Sequence, residues 1–124
     1  MKWPIAIIVA ALAGCGTDNS WCELTGNWAG TWTSQSGATD ALTSMLVDND
    51  GAVTGTSAFV DSPCFAAASL SLVQTAQKLS GTATDGDATL DLDGGWVEDH
   101  LEGTYAVTAG SCVGDAGTYK LDRQ

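Results

Sequence analysis

The sequence predicts an all-β chain, a single eight-stranded antiparallel up-and-down β-barrel, and three observations predict it. Apolar and polar residues alternate in short runs broken by Gly, Asn and Asp turn signals, the pattern of strands with one buried face. Glycine-threonine dipeptides recur at Gly30-Thr31, Gly55-Thr56, Gly81-Thr82, Gly103-Thr104 and Gly117-Thr118, the first four spaced by 25, 26 and 22 residues. That spacing suits two strands and two turns, so one hairpin is repeated around a sheet as a meander. Pro63 is the only proline beyond Pro4, and it falls between strands, where no ladder donor is lost.

Each element follows from side-chain parity. Taking the glycines to point to one face, their period-two neighbours are Trp28 and Trp32, then Val53, Ser57 and Phe59, then Leu79 and Ala83. The pattern continues with Leu101, Tyr105 and Val107, and then Tyr119 and Leu121. The opposite face carries Thr31, Thr54, Thr56, Lys78, Ser80, His100, Glu102, Thr104 and Lys120. A mid-strand glycine on the crowded face permits close backbone approach and bending, which a small closed barrel needs where large rings cross its interior. Residues 43–47, 67–73 and 88–92 supply the intervening strands. Expected connectors are Asp48-Asn49-Asp50-Gly51, Asp85-Gly86-Asp87 and Gly94-Gly95, all rich in residues that tolerate positive φ.

The segment before the barrel reads as an address. Lys2 supplies a positive start and Ile5 to Leu12 an apolar stretch, too short for a hydrocarbon core that needs ~20 residues, so a secretory signal is expected. Leu12-Ala13-Gly14-Cys15 resembles the lipobox of bacterial lipoproteins, which implies a diacylglycerol on the Cys15 thiol and cleavage before it. The expected organisation is a signal peptide over 1–14, a lipidated N-terminus and tether over 15–21, and the barrel over 22–124. Gly16 stands where, by resemblance to enterobacterial lipoproteins, an aspartate would retain the protein in the inner membrane. A cell-envelope location at the outer membrane is expected, with the membrane engaged through the lipid.

Without residues 1–14 the chain keeps 110 residues (124 − 14), enough for one small domain. Lys2 leaves with the signal, so Lys78, Lys120 and Arg123 stand against 15 acidic side chains, a formal charge of −12 (3 − 15). Such a balance excludes nucleic acid, whose phosphates need Lys and Arg, and suits solubility or a basic partner.

Residues 22–28, CELTGNW, resemble the opening of the avidin family, and Gly26-Asn27-Trp28 is also similar to the G-x-W that opens the first strand of lipocalins. Residues 50–56, DGAVTGT, resemble the avidin hairpin that leads into its third strand. The resemblance implies an eight-stranded barrel around a ligand. The avidin ligand residues do not follow, because Gly30 stands where a biotin-contacting asparagine would and Ser57 where a tyrosine would, while Ser34 alone matches a biotin-contacting serine.

Three thiols remain after lipidation, which permits one bridge in an oxidising compartment. In an eight-strand meander the loops after strands three and seven share one end, so Cys64 and Cys112 are expected to pair there, while Cys22 lies at the other end. Cys22 is either buried and inert beside Trp21 and Trp28 or free for an intermolecular bridge. The polar tether 16–20, reaching at most ~18 Å, turns the Cys22 end toward the membrane and the bridged rim outward.

No constellation of catalytic or metal-binding residues emerges. His100 is the only histidine and is expected on the outer face beside Asp99, so no second imidazole builds a zinc site. No local motif supports a serine, histidine and aspartate triad. Asp48-Asn49-Asp50-Gly51 begins like a calcium loop, but Ala52 takes the next ligand position. Asp91, Asp93, Glu98, Asp99 and Glu102 read as a solvated acidic face, with weak gathering of a divalent cation as the alternative. No enzyme activity and no cofactor are expected. Trp32, Phe59, Tyr105 and Val107 fall near the open rim, and Trp28, Val53, Leu101 and Leu121 near the opposite end. Two readings of the interior stay open: a packed core, or a rim cavity for a small hydrophobic or amphipathic ligand. A second function class is a surface-recognition module that inhibits a basic hydrolase such as lysozyme, or a protease, through rim loops 34–40, 61–66 and 110–116.

Overall fold

The computed structural model describes residues 23–124. The signal, Cys15, the tether and Cys22, with the roles expected of them, lie outside the described residues. The described chain forms β1 (Gly26–Ser34), β2 (Thr39–Asn49), β3 (Ala52–Phe59), β4 (Ala67–Thr75), β5 (Lys78–Asp85), β6 (Ala88–Val97), β7 (His100–Ala109) and β8 (Ala116–Arg123). Each strand pairs antiparallel with its sequence neighbours, and β8 returns to β1 to close the barrel. Closure runs from Trp28↔Arg123 to Ser34↔Gly117, so no sheet edge is left to template association.

Parity decides the core. Trp28, Trp32, Val53, Ser57, Phe59, Leu79, Ala83, Leu101, Tyr105, Val107, Tyr119 and Leu121 are all buried inward. Between them, Leu42 and Leu46 of β2, Leu70 and Leu72 of β4 and Leu90 of β6 complete the lining. Wide rings fit only where the facing wall is glycine. A methyl group on Gly94 would lie 2.6 Å from the Tyr119 hydroxyl, and one on Gly117 would lie 2.8 Å from the Tyr105 ring.

The same observation corrects one expected connector. Gly94 and Gly95 lie within β6, and Gly94 sits directly opposite Gly103 of β7. They are glycine because backbone and Tyr119 approach them too closely for a side chain. The β6–β7 turn is instead Glu98-Asp99, with Glu98 at φ 58°. The expected turn at Asp48 also moves: β2 runs on to Asn49, and Asp50 (φ 55°) with Gly51 (φ 95°) makes a two-residue hairpin, whose positive φ values match strand twist. Asp48 is buried; its carboxylate accepts the N–H of Gly51 at 2.9 Å and of Leu24 at 3.0 Å. It is a turn anchor.

The end holding the β2–β3, β4–β5 and β6–β7 turns is filled. Leu24 plugs it, and the Trp28 indole donates to the Leu24 carbonyl at 2.9 Å. Trp96 meets Trp28 edge-on at 5.6 Å, and the Arg123 guanidinium lies 4.5 Å from the Trp28 ring centroid. Arg123 also donates to the carbonyls of Thr25 and Glu23, tying the chain's end to the segment before β1. His100, expected to be exposed, is 9% exposed. It does start β7 on the outer face, but its ring lies along the strand, with Nε2 2.6 Å from Glu102 Oε1, and is covered.

Burial, with the Asp93 charge adding to it, pushes the Tyr119 hydroxyl up from an ordinary 10 to about 12. Tyr119 therefore stabilises the fold fully below pH 10, where both folded and unfolded forms are protonated, and loses that contribution as pH rises toward 12 and the unfolded chain ionises first. A two-unit shift amounts to roughly 2–3 kcal/mol. Urea unfolding measured across this window should show stability falling steeply in the wild type and less steeply in Tyr119→Phe; identical slopes would contradict the assignment.

Candidate functional site

The other end of the barrel is strapped and hollow. The β3–β4 loop, residues 60–66, turns inward because the Ser62 hydroxyl accepts the N–H of both Cys64 and Phe65. Phe65 is thereby buried against Phe59, with ring centroids 5.7 Å apart. Cys64 is bonded to Cys112 in the β7–β8 loop, with Cα atoms 6.0 Å apart. In a ring of eight strands these loops spring from opposite sides, so the disulfide crosses the mouth. The Trp32 indole donates to the Val60 carbonyl at 3.3 Å and holds β1 to the same loop.

Beneath the strap lies a cavity of about 180 Å³. Trp32, Phe59, Tyr105 and Val107 all line it, together with Phe65, Leu90 and both bridged cysteines. Its polar wall is built by Ser34, at the end of β1, and Asp115, just before β8. Ser34 Oγ donates to Asp115 Oδ1 at 2.7 Å, and the Tyr105 hydroxyl donates to Oδ2 at 3.4 Å. Ser36 donates both its N–H and its hydroxyl to Ser34 Oγ, so Ser34 is fixed as the donor to the carboxylate. Burial and the Asp115 charge hold the Tyr105 hydroxyl above its usual range, keeping it a proton donor. Phe59 and Tyr105 form the floor. Below them the interior narrows to about 30 Å³ beside the buried Ser44 and Ser57 hydroxyls, 2.6 Å apart.

No family model matches the sequence, and no curated protein matches it. The solved structure of a redesigned beta barrel matches with a TM-score of 0.65 at 16% identity, over 82% of this chain and 91% of that one. The likeness is one of fold.

The remaining sequence candidates lie elsewhere. His100 pairs with Glu102 and Asp99 at the filled end. Asp91 and Asp93 are exposed on the outer wall of β6. Among the described residues, no three His, Cys, Asp or Glu side chains gather to hold a metal ion. Sequence reasoning missed the Ser34–Asp115 pair, whose members are 81 residues apart and meet only because β1 and β8 are neighbours. It also missed Phe65, although that residue follows a cysteine already placed at the mouth.

The bridge closes a loop spanning 48 residues, which chain entropy values at about 4 kcal/mol. A Cys64→Ala/Cys112→Ala variant should lose about 2–4 kcal/mol in urea unfolding; a loss below about 0.5 kcal/mol would mean that the strap does not constrain the unfolded chain.

Proposed function

We propose that the protein is a lipid-anchored binding protein of the cell envelope, at the outer membrane, which takes one small hydrophobic or amphipathic molecule into the mouth of a lipocalin-like barrel. One observation carries the reading: four side chains from three strands, Trp32, Phe59, Tyr105 and Val107, converge on one cavity, below which the interior narrows to about 30 Å³. An apolar cavity of about 150 Å³ holds a benzene, so about 180 Å³ suits one ring with a short substituent. Drug-sized sites start near 300 Å³, and the strap leaves no room for a long acyl chain. The lipobox resemblance at Leu12–Cys15 supports the anchor. The Ser34 hydroxyl, held by Asp115 in the cavity wall, has no imidazole or amine among the described lining residues to activate it, so we read the site as non-catalytic and independent of any cofactor.

A second reading, recognition of a basic protein such as a lysozyme, is favoured by the charge at the same end. Asp40, Asp61, Asp85, Asp87 and Asp115 ring the mouth with no described Lys or Arg among them, whereas the acidic residues of the opposite end stand beside Lys78 and Arg123. Association through that ring would weaken strongly with salt.

Phenol titrated into ¹⁵N-labelled protein separates the readings. Binding in the cavity should shift the Trp32 indole N–H signal and leave that of Trp28 in place, and Val107→Phe, which fills the cavity, should abolish the shift. If phenol moves neither signal while lysozyme binds in low salt, the surface reading replaces the first.

A further inference from the structure

Given the mouth cavity as a ligand site, the reading on which this step rests, we infer that it selects a cation: a small ammonium attached to a single ring or a comparable apolar group. Among the described residues of the lining, Asp115 is the only carboxylate, and no Lys, Arg or His appears. A carboxylate offers about four acceptor positions. Ser34 and Tyr105 occupy one on each oxygen, which leaves acceptor capacity on both oxygens for a donor from the cavity. Both partners are themselves donors, so the carboxylate is held in place without being neutralised.

The apolar wall reinforces the preference. Trp32, Phe59, Phe65 and Tyr105 line the same space, and the negative faces of such rings attract an ammonium while their bodies bury an apolar group. An anionic ligand of the same size would bring like charge against Asp115 in a partly enclosed site. A neutral one would gain the ring contacts and at most a hydrogen bond to the carboxylate, without the attraction between opposite charges. Outside the cavity, Asp40, Asp61, Asp85 and Asp87 surround the entrance, and none of the described cationic side chains does. Their summed field concentrates cations at the mouth. A divalent metal does not satisfy this geometry, since among the described residues the site holds one carboxylate and no cluster of ligands.

Three probes of nearly equal size isolate the charge: 2-phenylethylamine, 2-phenylethanol and phenylacetate, titrated calorimetrically into the protein with its disulfide intact. The amine should bind about tenfold or more tightly than the alcohol, with phenylacetate weakest. Asp115→Asn, which keeps the shape and an acceptor for Ser34, should bring the amine to within about twofold of the alcohol. Alcohol binding should weaken by no more than about threefold, and a ¹⁵N spectrum that matches the wild type outside the mouth reports an intact fold. Equal affinity for amine and alcohol, or an amine preference that survives Asp115→Asn, overturns the inference while leaving the cavity a ligand site. Absence of binding by all three overturns the ligand site and the inference with it.

Discussion

Pairing of β8 with β1 is the constraint on which the rest of this protein depends. Once the ring closes at eight strands, the interior is just wide enough for side chains to fill, and every inward position competes for the same narrow space. Tyr119 can lie across it only because Gly94 offers bare backbone, and Tyr105 only because Gly117 does. Closure also makes neighbours of residues from the two ends of the chain. Ser34 meets Asp115, and Arg123 reaches Trp28 and the segment ahead of β1.

The competition for space is resolved differently at the two ends. At one, Leu24, Trp28 and Trp96 fill the bore, the turns are tight, and the buried Asp48 supplies acceptors for backbone N–H groups that would otherwise lack them. The opposite end has longer loops, and a covalent strap does part of what packing does below. Holding Cys64 to Cys112 across the diameter fixes the loops over the mouth without requiring side chains to fill the space beneath. A cavity can persist there because the strap and the Ser34–Asp115 bond resist collapse. The two ends thus divide a packed plug from a strapped cavity.

Much of this was legible in the sequence. The residues that period-two parity around the recurring glycines turned inward on β1, β3, β5, β7 and β8 are all buried, although Ser34 at the inward end of β1 was not named among them, and the alternation of loops between the two ends paired Cys64 with Cys112. What escaped depended on three-dimensional proximity. Gly94-Gly95 reads as a turn from composition, yet close approach of β7 and Tyr119 is what demands glycine there. His100 was on the expected face, but a hydrogen bond to Glu102 lays its ring against the strand and buries it. Asp48 looked like part of a solvent turn, whereas the segment around Leu24 packs over it. Asp115 carried no local signal, because its partners come from β1 and β7.

The mouth is hollow beneath the strap while the opposite end is solid. Crystals pressurised with xenon test this directly, since xenon enters apolar cavities of about 150 Å³. Xenon density should appear bounded by Trp32, Phe59, Tyr105 and Val107, with none beside Trp28 and Leu24. A mouth without xenon, in which Phe59 and Tyr105 have closed on Trp32, would contradict it.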